Sequence, residues 1–152
     1  NACESEGVRL VFISTNYVYD GEIGNYSESD PVSPLSEYAN SKATAETLVT
    51  AYANSLVIRS SFCSSDAWKF DGAFTDQFSS ADTVDVIAPE VLQATLSDLT
   101  GILHIGTERK SQFELARRIN PTVRSKTLKE VDLPLARDTS LDCSRWNAYK
   151  AP

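Results

Sequence analysis

The sequence predicts an α/β fold, a parallel sheet flanked by helices, and three stretches carry that prediction. Residues 8–13 (VRLVFI) and 55–61 (SLVIRSS) are short runs rich in apolar and β-branched residues. They do not alternate with polar residues, so they read as strands buried on both faces, the habit of parallel sheets. Between them, Ala39, Ala43, Ala45, Leu48 and Val49 supply the packing face of a helix.

In chain order, residues 1–7 (NACESEG) read as the end of a helix stopped by Gly7. The first strand closes on Ser14 and Thr15, two hydroxyls at the edge where open α/β sheets bind ligands. An acidic, polar loop follows over 20–33, with a turn signal at Asp20 and Gly21. Ser33 followed by Pro34 predicts the helix start, Ser as N-cap and Pro at the first helical position, and Asn54 its end. Arg59, inside the second strand, is expected to pair with a carboxylate or a hydrogen-bond acceptor and not with substrate. Trp68, Phe70, Phe74 and Phe78 recur among polar residues and are expected to pack as one loop cluster, with Lys69 at the surface. Residues 83–96 predict a helix with apolar positions at Val84, Ile87, Ala88, Val91, Leu92 and Leu96. Residues 102–106 predict a short strand in which His104, the one histidine, is expected buried and structural. Ser111 and Glu114 form a capping box that opens a helix to Ile119, before Asn120 and Pro121 end it. The tail over 122–152 mixes charges with Leu128, Val131, Leu133 and Leu141.

Composition excludes several classes. The chain has 152 residues, 41% of them hydrophobic and 23% charged, enough for one modest core and too few for two ordinary domains. A net charge of −7 argues against nucleic acid or an anionic membrane as partner. No apolar run approaches the ~20 residues that cross a bilayer, and no signal-peptide pattern opens the chain. Cys3, Cys63 and Cys143 are odd in number, far apart and without a C-x-x-C pair. They read as free thiols in a reducing cytoplasm, with no metal site and no disulfide frame.

The chemistry is concentrated at Tyr38 and Lys42. Four residues apart on a helix, they share one face, one turn from each other. A free tyrosine titrates near pH ~10, too high for efficient acid–base work at neutral pH. A nearby ammonium favours the phenolate and lowers that value. Thr15, at a strand end facing this pair, can hold a reacting sugar or alcohol oxygen against Tyr38.

The surrounding motifs place the chain in a family. Ser14-Thr15-Asn16-Tyr17-Val18-Tyr19-Asp20-Gly21, Glu28-Ser29-Asp30-Pro31, Pro34, Tyr38-Ala39-Asn40-Ser41-Lys42, Ala45-Glu46 and Val57-Ile58-Arg59-Ser60-Ser61 resemble the extended short-chain dehydrogenase/reductases. The closest resemblance is to the dTDP-4-dehydrorhamnose reductases and their sugar-nucleotide-binding relatives. A weaker match follows over 137–142 (RDTSLD). The resemblance is strong over 8–62 and diffuse beyond. It implies a Rossmann-like parallel sheet with a small substrate-binding lobe, and an NAD- or NADP-dependent reaction at a sugar carbon. Thr15, Tyr38 and Lys42 become the catalytic set. Ser14, Tyr38, Lys42 and Ser61 become cofactor contacts, and Thr15, Tyr17, Phe62 and Arg137 substrate contacts, Arg137 because its fork suits a phosphate. Phe62 fits the family's aromatic position, but Cys63-Ser64-Ser65 follows it where Tyr and Gly are usual.

The family's glycine-rich G-x-x-G-x-x-G turn, which brings the backbone up to the cofactor pyrophosphate, has no counterpart among the six glycines. The expectation is therefore the C-terminal part of a longer reductase, with most of the cofactor site in a preceding segment. Residues 1–62 would be the last βα units of the cofactor-binding domain, and 63–152 mainly the substrate lobe, with helices returning to the sheet. The expected partner is a nucleotide sugar. A half-fold with open strand edges also leaves room for a homodimer. Two rival readings share the same residues: a nucleotide-sugar epimerase or dehydratase, and a regulatory subunit that binds a sugar nucleotide without turnover.

Overall fold

The computed structural model describes residues 2–151. The chain begins with α1 (Ala2–Ser5), β1 (Leu10–Thr15), a 3-10 turn (Asn16–Val18), α2 (Glu37–Thr50) and β2 (Ser55–Ser60). Four short strands follow, β3 (Phe62–Cys63), β4 (Gly72–Phe74), β5 (Phe78–Ser79) and β6 (Asp82–Thr83), before α3 (Val84–Thr95) and β7 (Gly101–His104). The last part holds β8 (Lys110–Ser111), α4 (Gln112–Ile119), β9 (Arg124–Lys126), a second 3-10 turn (Leu128–Glu130), β10 (Asp138–Thr139) and α5 (Ser144–Lys150).

The main sheet has the order β1-β2-β7, all parallel, as the unbroken apolar runs require. The central strand β2 is buried at all its positions, which is why its sequence cannot alternate. Side chains leave the sheet on alternate faces. One face carries Phe12, with the Lys42 ammonium 4.8 Å above its ring, and Arg59, paired with Glu46 of α2. The other carries Leu56, Ile58 and Leu103, packed with Ile87 and Ala94 of α3 and with Trp146. Trp146 lies on α5, so the charged tail ends in a helix that closes the core of the first strands. Its indole N–H donates to Glu90 of α3 at 2.6 Å. Arg9 ties the start of β1 to the end of α3 through the carbonyls of Thr95, Ser97 and Leu99.

Several expected boundaries move. The helix carrying Tyr38 is capped by Ser36, whose hydroxyl accepts from the Ala39 N–H at 3.2 Å. Ser33, the expected cap, instead gives its N–H to the Val18 carbonyl at 2.8 Å, which ties it to the loop. The helix stops at Thr50, because the Asn54 carbonyl is taken by the Leu10 N–H at 3.1 Å, the bond that enters the sheet. The α3 helix matches its expected span to one residue at each end, yet Leu92 and Leu96 are 60% and 79% exposed. The apolar stripe is wider than the face the sheet covers. The capping box of α4 forms as read, with the Glu114 carboxylate accepting from the Ser111 N–H at 2.7 Å.

The short strands build a second layer of pairings: β3 with β6, β4 with β9, and β5 between β8 and β10. They draw residues 72–79 against 110–126 and 138–139. The expected aromatic cluster is divided among them. Trp68 packs on Ala73, Ala116 and Val123 and meets Phe70 edge-on at 5.7 Å, whereas Phe78 lies 3.7 Å beneath the Arg109 guanidinium. Among the described residues no helix is long and apolar enough to cross a membrane.

Candidate active site

The carboxyl end of β1 carries the first two site residues. Thr15 and Ser14 are each 5% exposed. The Thr15 hydroxyl accepts from the Tyr17 N–H at 3.2 Å and so caps the 3-10 turn that follows. Among the described residues its proton has only the Asn16 side-chain oxygen, at 3.4 Å, as a partner. Asn16 in turn donates to the Thr139 hydroxyl at 2.7 Å and pins the turn to β10. The Ser14 and Ser60 hydroxyls are buried with no hydrogen-bond partner among the described residues. They stand at the ends of neighbouring strands, where Thr15 is in register with Ser60. Ser14, in register with Arg59, and Ser60, in register with Thr15, point to opposite faces near the ligand edge of the sheet. An unmet buried hydroxyl costs about 1–3 kcal/mol, so each marks a spot that a polar atom of another molecule would satisfy.

Tyr38 and Lys42 rise from the first two turns of α2. Lys42 turns towards the sheet and donates to the Ile13 carbonyl at 3.0 Å. Among the described residues that is its one hydrogen bond, and the ammonium also faces the Phe12 ring. Tyr38 turns outwards, 56% exposed, at the wall of a cleft of about 490 Å³. Tyr17, Leu35, Phe70, Phe74 and Lys126 face the same space. Burial, and then the charge that Tyr38 would carry, raise the Tyr17 phenol above its ordinary value.

A smaller cavity of about 210 Å³ holds Ser61 and Phe62 and shares Tyr17, Phe70, Gln77 and Gln112 with the cleft. The fold therefore gathers Tyr17, Tyr38, Ser61 and Phe62 around connected space, with Thr15 at the end of β1 and Lys42 of α2 bonded to that strand. Arg137 stands apart from this group. It is exposed and lines neither cavity, whereas the preceding residues Pro134, Leu135 and Ala136 form the cleft wall. Gln77, Gln112 and Lys126 line the cleft without any signal in the sequence, and Phe70 and Phe74 line it too, beyond the packing expected of them. No local periodicity marks any of them; only the pairing of β4 with β9 and the packing of α4 bring them together.

A second tyrosine backs the cleft. Tyr19 is fully buried, stacked on Tyr26 with ring centres 4.1 Å apart. Its oxygen accepts from the Arg59 guanidinium at 2.5 Å and lies 3.0 Å from His104 Nε2. Burial pushes this phenol up to about 12, against the lowering effect of Arg59. Arg59 is held by three contacts to the Glu46 carboxylate at 2.6 to 3.1 Å, both residues buried. Burial opposes the Arg59 charge, but its bonds to Glu46 and Tyr19 outweigh it and raise its pKa. His104, also fully buried, faces the Asp142 carbonyl through Nδ1 at 3.2 Å. A carbonyl only accepts, so Nδ1 carries the ring proton. Nε2 and the Ser27 carbonyl, 2.9 Å from the Tyr19 oxygen, then share one phenolic proton.

Comparison with known proteins gives this arrangement a context. Residues 1–98 match the family described as the RmlD substrate binding domain. The curated dTDP-4-dehydrorhamnose reductase of Mycobacterium tuberculosis is 34% identical over 83 residues, covering 51% of this chain and 25% of that protein. The structure of a hypothetical dTDP-4-dehydrorhamnose reductase from Sulfolobus tokodaii superposes with a TM-score of 0.81 at 30% identity, over 97% of this chain and 60% of the other. The Bacillus anthracis dTDP-4-dehydrorhamnose reductase in complex with NADP shares the fold, with a TM-score of 0.85 at 20% identity over 99% and 63% of the two chains. The chain thus spans between a quarter and just under two thirds of the length of these relatives.

Proposed function

The chain belongs to the RmlD substrate binding domain family, and on that premise we propose that it carries the catalytic and substrate-binding part of an NAD(P)-dependent reductase of nucleotide-activated keto sugars. The observation that carries this reading is Tyr38. It stands exposed on the wall of a ring-lined cleft, one helical turn from Lys42 and beside the end of a parallel strand.

The nicotinamide cofactor, when bound, supplies a hydride to the keto carbon. The residues here fit it: the unmet Ser14 hydroxyl, with Ser61, Lys42 and Tyr38, offers polar atoms at the sheet edge that such a ligand would satisfy. The rest of the work belongs to this chain. Tyr38 gives its phenolic proton to the substrate oxygen as negative charge develops there. Lys42, one turn along the helix and anchored to the Ile13 carbonyl, would offer its ammonium to the nicotinamide ribose. Thr15 offers the same substrate oxygen a hydrogen bond, since its proton is held only weakly by Asn16. Tyr17 and Phe62 line the space for the sugar, and residues 63–152 complete the substrate lobe against the catalytic residues of 1–62.

The test is turnover of a dTDP-4-keto sugar with NADPH by the protein expressed from its complete reading frame. One NADPH oxidised per sugar reduced, lost on Tyr38→Phe, is the expected result. Product without net NADPH oxidation would point to an epimerase or dehydratase, and binding without turnover to a regulatory subunit. The reading places the protein in the cytoplasm, in keeping with three free cysteines. Sedimentation equilibrium tests the homodimer that goes with it.

A further inference from the structure

The cleft wall holds a charge pair that the reduction itself does not use. Asp71 and Lys126 both line the cleft, and the Lys126 ammonium donates to one Asp71 carboxylate oxygen at 2.7 Å. Arg124 reaches the other oxygen at 3.2 Å. Two cations therefore share one carboxylate, and the group keeps a net positive charge.

An ordinary surface pair has floppy ends and contributes little. This one is built. Strands β4 and β9 run parallel with Gly72 opposite Arg124 and Phe74 opposite Lys126. The Lys126 stem lies across Gly72, where an added Cβ would come within 2.6 to 2.8 Å of its Cε, Cδ and Cγ. A glycine is needed there for the lysine to lie flat. The Lys126 carbonyl is fixed in turn by the Thr75 N–H at 2.9 Å and its hydroxyl at 3.2 Å. The other walls carry the rings of Tyr17, Phe70 and Phe74. A ring-lined cleft with one aimed ammonium suits a ligand that joins a flat base to an anion.

We propose that Lys126 binds the diphosphate of a nucleoside-diphosphate ligand, and that Asp71 is its placeholder, surrendering the ammonium when the diphosphate arrives. The assignment rests on the reading of this cleft as the nucleotide-sugar site. The exchange is favourable in sign, because a diphosphate brings more negative charge and more acceptor oxygens than one carboxylate. Asp71 is not stranded by it, since Arg124 already holds its other oxygen. The device also discriminates: a weakly charged anion cannot displace Asp71.

Calorimetric titration with dTDP, thymidine and inorganic pyrophosphate tests this on the protein expressed from its complete reading frame. Lys126→Gln is expected to weaken dTDP by about tenfold or more while leaving thymidine unchanged. Asp71→Asn is expected to tighten dTDP by about threefold to tenfold, the opposite of what losing a merely structural ion pair would do. Gly72→Ala, which crowds the lysine stem, should reproduce the Lys126→Gln loss. Equal weakening of dTDP and thymidine by Lys126→Gln, an Asp71→Asn protein with unchanged or weaker dTDP affinity, or no dTDP binding by the unaltered protein would each overturn the proposal. Lys126-dependent dTDP binding without NADPH oxidation would instead overturn the reductase reading and leave this one standing. Turnover that depends on Tyr38, with dTDP affinity indifferent to Lys126, would do the reverse.

Discussion

Two tyrosine–cation pairs flank the same cleft, and they have opposite fates. Tyr38 is exposed with its phenol at the cleft wall, and Lys42, one turn on, reaches in to the Ile13 carbonyl. Tyr19 with Arg59 is sealed behind that wall, stacked on Tyr26 and touched by His104. The inner phenol is raised to about 12 by burial, although an arginine touches it. A cation alone therefore does not make a tyrosine an acid–base catalyst. Where desolvation exceeds the pull of the cation the proton stays, and the pair becomes scaffold. The outer pair has the access to substrate that the inner pair lacks.

The largest effect that would sharpen this contrast is on turnover. Tyr38→Phe should lower kcat by about 10²–10⁴-fold and move unfolding stability by no more than about 0.5 kcal/mol, as expected at an exposed position. Steady-state kinetics and a denaturant melt on the same preparation check both halves. Glu46→Gln strikes the inner pair by leaving Arg59 buried without its counter-charge. It should cost about 3–5 kcal/mol in a urea or guanidinium melt, and a loss under about 1 kcal/mol would show that the inner pair is not the scaffold described. Tyr19→Phe removes one oxygen that serves Arg59, His104 and Ser27. The expected loss is about 1–3 kcal/mol, with turnover per folded molecule within a few-fold of the unaltered protein.

The smallest effect is a pH dependence centred on His104. Burial, aided by Arg59 and opposed by Glu28, holds its pKa below the usual 6.5. The folded protein thus binds fewer protons there than the unfolded chain. The stabilisation is complete above about pH 6.5 and drains away as pH falls through the depressed folded value. Melts between pH 8 and 5 should show a slope that His104→Gln flattens; equal slopes would remove His104 from the account.

Much of the fold is legible locally. The runs at 8–13 and 55–61 announce buried parallel strands because only residues shielded on both faces can dispense with polar alternation. Ser111 and Glu114 announce a helix start because both partners of the capping box lie within four residues. The burial of His104 and the pairing of Arg59 were legible too, since a polar residue inside an apolar strand needs a partner. The Ser33 cap failed for the converse reason: its N–H is claimed by Val18, fifteen residues earlier, and no local pattern shows that bond. The exposed Leu92 and Leu96 failed similarly, because the width of a helix's buried face is set by what packs on it.

The sequence by itself determined which residues could do chemistry: a tyrosine and a lysine one turn apart, and hydroxyls closing a buried strand. Only the tertiary structure decided which tyrosine is exposed, which arginine is turned away and which lysine looks into the cleft. Strands of three residues hold Phe74 and Lys126 together, too short to leave a period in the sequence, and Gln112 joins them by accepting from the Phe74 N–H at 3.0 Å. Gly72 shows its purpose only when Lys126, fifty-four residues later, lies across it. Residue type and spacing carry chemical capacity, while burial and direction arise from contacts between distant segments, and those exist only once the chain has folded.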